Sequence, residues 1–309
     1  MSLGRIKRIV TILFVSISLF FFIFYLAKHY ENLPHISWNL KSSAGIATSL
    51  LLYLCNMLIA GFAWFILLKS YGQKISPGKA IYIVAFSQFG KYLPGNVGQH
   101  IGKLTLSKGE EFPLSKTIQA IIVETALLVV AGASISAIGL LFYDFHIISK
   151  SNLLLIEFAL LFLIALIAPK IVFHLINKYG KGFLTKYTGG EKLNLPNIKN
   201  LTILILLDLT TFLNLGLILN ILSRTVFEFS ENNFFFLTTT FAWSWILGYL
   251  APGAPAGLGV REAIVLASLS TRFEPGIAIG LSILLRFITT VGDGIAFGIA
   301  SLFRKNKPE

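Results

Sequence analysis

The sequence predicts an all-α integral membrane protein with about six full transmembrane helices and two re-entrant helical hairpins arranged as an inverted repeat. Three observations carry that expectation. The 309 residues are 55% hydrophobic and 13% charged, with a mean hydropathy of +0.77, whereas a soluble domain carries about a quarter charged residues. Six unbroken apolar runs reach the length of roughly 20 residues that a helix needs to cross the hydrocarbon core. Two further apolar stretches are interrupted by glycine and proline in matching patterns.

Taken in order, Arg5, Lys7 and Arg8 precede an apolar run from Ile9 to Ala27. It is longer than a signal-peptide core and has no small-residue cleavage pattern, so it reads as a retained first span that starts in the cytoplasm. Ala44 to Leu68 is the second span, and Thr117 to Phe142, Leu153 to Ile176, Leu201 to Leu222 and Gly276 to Phe303 are the other four. Between them lie the interrupted stretches: Ala80 to Leu106, broken at Gly90, Pro94, Gly95, Gly98 and Gly102, and Phe234 to Leu269, broken at Pro252, Gly253, Pro255, Gly257 and Gly259. Irregular backbone at membrane depth is tolerated only where protein or water satisfies it, so each stretch reads as a re-entrant hairpin lining a cavity. A pair of true spans is the alternative, above all at Phe234 to Leu250, and leaves the parity of the layout unchanged.

The 26 Lys and Arg against 14 Asp and Glu give a formal charge of +12, which in a soluble chain would point to nucleic acid. Here it is a topology signal. With the N-terminus inside, 19 of the 26 basic residues fall on the cytoplasmic side, from Arg5 through Lys91, Lys103 and Lys199 to Lys307. That bias predicts a multi-pass protein of the cytoplasmic membrane with both termini cytoplasmic. The single cysteine, Cys55, excludes an internal disulfide framework, and the five histidines are scattered without ligand spacing, so no metal or other cofactor is expected.

The interrupted stretches repeat one another. Tyr92-Leu93-Pro94-Gly95-Asn96-Val97-Gly98 matches Tyr249 through Gly259, and Pro113 and Glu124 then fall opposite Pro275 and Arg286. The chain divides into a first copy at about 44–142, a linking helix at 153–176 and a second copy at about 201–303, all within one membrane domain, 1–309. Three crossings separate the copies, so they are inverted, a recurring design of transporters.

Ionisable groups inside spans suggest function. Arg286 lies about ten residues into the last span, with Asp293 almost on the same face two turns later. Glu124 holds the equivalent repeat position and Asp208 sits within the fifth span, so Asp293, Glu124 and Asp208 are each candidate partners of Arg286 and candidate proton carriers. After each break a short helix begins, at about Val97 and Val260, whose N-terminal N–H groups suit an anion such as phosphate. Lys91, Gly95, Gly98, Gln99, His100 and Lys103 flank the first break, and Gly257, Gly259, Arg261 and Glu262 the second. Lys91 and Lys103 have a competing reading as lysines snorkelling to the headgroups. No catalytic triad, P-loop or metal motif is present.

The stretch Tyr92 to Gln99 followed by Ile122-Val123-Glu124, and Pro252 to Glu262 followed by Leu284-Leu285-Arg286, resemble the transmembrane domain family of lysylphosphatidylglycerol synthases, from about residue 5 to 303. The chain departs from the usual pattern at Asn96 and at Thr125. The resemblance implies a helical bundle with re-entrant helices that moves a lipid between leaflets. Only a few residues follow the last span, so a soluble aminoacyl-transfer domain is not expected.

The leading expectation is a translocase for an anionic phospholipid or a polyprenyl-phosphate-linked glycan. Its headgroup would lie among Lys91, Gly95, Gly98, Gln99, Lys103, Gly257, Gly259, Arg261, Glu262 and Arg286. The partner is membrane lipid and not nucleic acid, and oligomeric assembly stays open. A membrane-embedded glycosyltransferase with Glu262 or Asp293 as base, or an accessory subunit of an envelope glycan or lipid pathway, is the alternative.

Overall fold

The computed structural model describes residues 38–92, 97–143, 151–182, 185, 192–251 and 255–304. The first apolar run, the Pro94–Gly95 and Pro252–Gly253 breaks and the basic C-terminal tail lie outside the described residues. Within them the chain is helical, without strands. The elements are α1 (Leu40–Ser70), α2 (Pro77–Gln88), the 3₁₀ turn η1 (Phe89–Tyr92), α3 (Gly98–Lys108), α4 (Leu114–Phe142), α5 (Ser151–Tyr179), α6 (Ile198–Thr225), α7 (Phe234–Leu250), the 3₁₀ turn η2 (Pro255–Gly257), α8 (Val260–Leu269) and α9 (Pro275–Arg304). Five of these, α1, α4, α5, α6 and α9, are long and apolar enough to cross a membrane. The protein is a multi-pass membrane protein.

Local chemistry sets several boundaries. Asn39 caps α1 by accepting from the Ser42 amide at 2.9 Å, while Ser42 Oγ accepts from the Asn39 amide at 3.1 Å. Ser76 caps α2, with Pro77 at its first position, where no amide is needed. Asn197 caps α6 through the Asn200 amide at 2.8 Å. Pro113 and Pro275 stand at the starts of α4 and α9.

The lengths follow one order twice: a long helix, two short ones, a long one. Helices α2 and α3 have 12 and 11 residues, about 18 and 16 Å at 1.5 Å per residue, well short of a hydrocarbon core of roughly 30 Å. Helix α8, with 10 residues, is shorter still. The packing crosses between the two series. Helices α1 and α6, which open them, pack together, α2 packs on α9, and α7 packs on α4. The 3₁₀ turns at the two hairpin tips meet each other.

Close approach is built from small residues. A Cβ on Gly45, Gly139 or Gly216 would overlap Thr225, Thr239 or Thr238. Each of those threonines turns its hydroxyl back to the carbonyl four residues earlier, so no donor is stranded at the contact. Asn214 of α6 donates to the Leu52 carbonyl and to Asn56 Oδ1, both at 2.8 Å, a polar link to α1. Gly102 corrects the sequence reading. It is no break but lies inside α3, where a Cβ would come 2.8 Å from Ser87 Cβ, so glycine here lets α3 lie against α2.

The aromatic and aliphatic core falls into two large clusters that include residues of the short helices. Trp64, Leu67, Leu68, Ile83 and Val84 fill the first half, and Leu219, Leu222, Phe236, Ile246 and Leu266 the second. By contrast α5 is mostly exposed along its apolar length, with only 17% of its most hydrophobic window buried, as for a helix facing lipid.

Candidate functional site

Between the hairpin tips and the long helices lies a cavity of about 180 Å³. Its wall gathers Lys91, Gln99, Lys103, Glu124, Asp208, Gly257, Arg261 and Arg286, drawn from both interrupted stretches and the long helices, with Tyr53, Asn56, His100, Trp245 and Tyr249. The sequence reading did not single out Tyr53, Asn56, Trp245 or Tyr249. Asn56 carried a usable signal, since an amide in the middle of an apolar span is costly unless it is satisfied. Gly98, Gly259, Glu262 and Asp293 stand behind this wall, and Gly95 lies outside the described residues.

Three ion pairs tie the hairpins to long helices. Lys103 of α3 places Nζ 2.6 Å from both carboxylate oxygens of Glu124 on α4, with the Trp64 ring 4.5 Å from the ammonium. Lys91 of η1 places Nζ 2.7 Å from Asp293 on α9. Arg286 of α9 places Nη1 3.2 Å from Glu262 on α8. Asp293 is fully buried and is held by more than Lys91: Tyr53 donates to one oxygen at 2.8 Å and Tyr92 to the other at 2.6 Å. Such charges are tolerable away from water only when paired and hydrogen-bonded.

These contacts correct three sequence readings. Arg286 pairs with none of Asp293, Glu124 and Asp208; its partner is Glu262, two residues into the short helix, and it also donates to the Ala256 carbonyl at 3.4 Å. Lys91 and Lys103 do not snorkel. Both turn inward to carboxylates, and Lys103 is only 4% exposed. The N-terminus of α8 is not an open anion cradle, because Glu262 Oε2 accepts from the Gly259 amide at 2.6 Å and occupies it. Helix α3 differs, since Val97 gives it no side-chain cap.

The backbone at the second break explains its glycines. Gly257 and Gly259 have φ of 70° and 81°, the left-handed region where only glycine is unstrained. Gly257 also lies against Gly248, so any Cβ there would press on backbone at 3.2 Å. In the first hairpin Gly90 does the equivalent work: a Cβ would lie 2.6 Å from the Gly98 carbonyl group.

Two ionisable groups in the wall are left over. The Arg261 guanidinium faces the Phe241 ring at 5.8 Å, and its buried Nε has no hydrogen-bond partner among the described residues. Asp208 accepts no hydrogen bond and makes no ion pair among them. Among the described residues no three His, Cys, Asp or Glu side chains gather to hold a metal ion. Arg261, Arg286 and Lys91 lie near one another in the wall, the last two paired with Glu262 and Asp293.

A family model described as the lysylphosphatidylglycerol synthase TM region matches residues 9–296. No curated protein matches the chain.

Proposed function

The chain belongs to the lysylphosphatidylglycerol synthase TM region family, and from that membership and the charged cavity we propose that it is a lipid translocase, moving a phosphate-bearing lipid between the leaflets of the cytoplasmic membrane. The observation that carries this is the surplus cation. Arg261 stands unpaired beside Arg286 in a chamber walled by both hairpins, where a lipid phosphate would supply the missing anion. Without such help, burying a phosphate costs many kcal/mol. The tails need not leave the bilayer.

In this reading α2–η1–α3 and α7–η2–α8 are re-entrant hairpins. Their short helices and touching tips support it, and the crossed packing of each hairpin on the other copy's last helix supports an inverted repeat. The charge bias of the loops favours cytoplasmic termini. Lys91, Gln99, Lys103, Arg261 and Arg286 then line the headgroup path, while Asp208, Glu124 and Asp293 are the groups able to couple movement to protons. Gly98, Gly257 and Gly259 shape the tips, and Gly95 lies outside the described residues. Glu262 holds Arg286 until a phosphate displaces it.

Reconstitution into liposomes with a fluorescent anionic lipid tests the proposal. Wild-type protein equilibrates the lipid between leaflets, and Arg261→Ala with Arg286→Ala abolishes the movement. Absence of movement in the wild type, or its persistence in the double variant, sinks the mechanism.

A further inference from the structure

We propose that Ser282 is a positioning residue for Arg261, acting through a single buried water held between α8 and α9 behind the wall of the chamber. That Arg261 meets a lipid phosphate belongs to the translocase reading, and the functional consequence rests on it. The water site itself does not.

Behind the chamber lies a second, much smaller space of about 10 Å³, bounded by Arg261 and Glu262 of α8, Ser282, Leu285 and Arg286 of α9, and Phe241 of α7. Ser282 and Arg286 are four residues apart, one helical turn, so α9 turns both to the same side. Arg261 and Arg286 also line the main chamber, so the two spaces meet at these side chains.

Two polar groups at the small space are unsatisfied. Arg261 Nε is buried with no partner among the described residues, and so is Ser282 Oγ, on a side chain only 2% exposed. This serine is unlike its neighbours on the same two helices. Ser268, Ser270 and Ser301 each donate to the carbonyl four residues earlier, the common resort of a helical serine. Ser282 makes no such bond. Buried polar atoms are nearly always paired, so two left over around one space point to an occupant that joins them.

Size and charge select that occupant. A space of this volume is about one water across and takes nothing larger. A water accepts from the Nε–H group, exchanges a hydrogen bond with the Ser282 hydroxyl, which both donates and accepts, and keeps a proton for the Glu262 carboxylate. A halide is larger, accepts only, and would face that carboxylate in the same wall. Glu262 itself is already committed, to Arg286 at 3.2 Å and to the Gly259 amide at 2.6 Å.

The consequence concerns direction. A guanidinium is a rigid plane with five N–H donors, and the Phe241 ring, 5.8 Å away, attracts it without fixing its edge. A hydrogen bond to Nε from behind fixes the plane and leaves the terminal nitrogens for the chamber. Because water is neutral, the positive charge stays uncompensated for a phosphate to meet.

Protein isotope-labelled at arginine Nε and embedded in nanodiscs tests the site by NMR. The Arg261 signal is the one lost in Arg261→Lys. It should exchange slowly with bulk solvent, show cross-relaxation with a long-lived water, and move in Ser282→Ala but not when chloride is replaced by bromide. Undecaprenyl phosphate should bind about three- to tenfold more weakly to Ser282→Ala, the worth of one hydrogen bond. Adding Ser282→Ala to Arg261→Lys, which keeps the charge and lacks that N–H, should cost nothing further. A signal unmoved in Ser282→Ala would mean that the hydroxyl turns back to its own helix, and a shift with bromide would mean an anion in place of water; either overturns the proposal. An equal loss of binding in both backgrounds overturns the positioning role. The two readings fail separately: the NMR signature without binding of undecaprenyl phosphate leaves the water site and sinks the phosphate reading, and binding without the signature does the reverse.

Discussion

Lys103 and Glu124 form a buried ion pair, Nζ 2.6 Å from both carboxylate oxygens, that joins a short hairpin helix to the long helix after it. Helices α8 and α9 make the same connection with the signs exchanged, Glu262 on the short helix and Arg286 on the long one. In each case the charge pair ties a short helix to the long helix that follows it.

Removing one partner of such a pair strands the other. Glu124→Gln is expected to destabilise the protein by about 3–5 kcal/mol, the usual penalty for an uncompensated buried charge. Exchanging the two, Lys103→Glu with Glu124→Lys, should recover much of the loss. Thermal unfolding in detergent checks both, with Trp64 against Lys103 as the reporter.

Asp293→Asn keeps the shape and loses the charge that holds Lys91, Tyr53 and Tyr92 together. A loss of about 3 kcal/mol or more follows from the stranded Lys91. The first hairpin tip should loosen, read as faster amide hydrogen exchange around Phe89–Tyr92 than in α4. Equal exchange in both segments would contradict the role given to this cluster.

Glu262 occupies the place an incoming phosphate would take. Glu262→Gln is expected to tighten binding of undecaprenyl phosphate by several-fold, about 1 kcal/mol, while lowering the melting temperature through loss of the charged cap on the Gly259 amide. Weaker binding in the variant would show that Glu262 positions Arg286 and does not compete for it.

Gly90→Ala brings a Cβ within 2.6 Å of the Gly98 carbonyl group, backbone that cannot swing aside. Overpacking of this kind costs about 1–3 kcal/mol. Because the strain falls on the hairpin and not on the core, transport should drop more than stability. Gly78→Ala, where nothing lies within 4 Å, is the matched control and should leave both unchanged.

The sequence by itself determined the membrane class, the placement of five of the six long spans it predicts and the positions of the broken stretches. Each rests on local physics. Twenty apolar residues must be helical in hydrocarbon because no water is there to satisfy the backbone, and a Gly-x-Gly interrupts helix through its own φ angles, as Gly257 and Gly259 do just before α8 begins. Gly102 shows the limit of that logic. The same residue that breaks one helix lets another lie close to its neighbour, and only the presence of Ser87 opposite decides which.

Charge pairing was decided by the tertiary structure alone. Arg286 had several carboxylates within reach of any one-dimensional argument, and it chose Glu262, which packing brings across from the hairpin. Lys91 and Asp293 are 202 positions apart by their numbers, and Tyr53 and Asp293 are 240 apart, so no periodicity could join them. A buried charge selects its partner by distance in a low-dielectric interior, and distance between helices is fixed by the packing of all of them. The left-over pair, Arg261 and Asp208, was visible as residues from the start; that they are left over is a property of the fold.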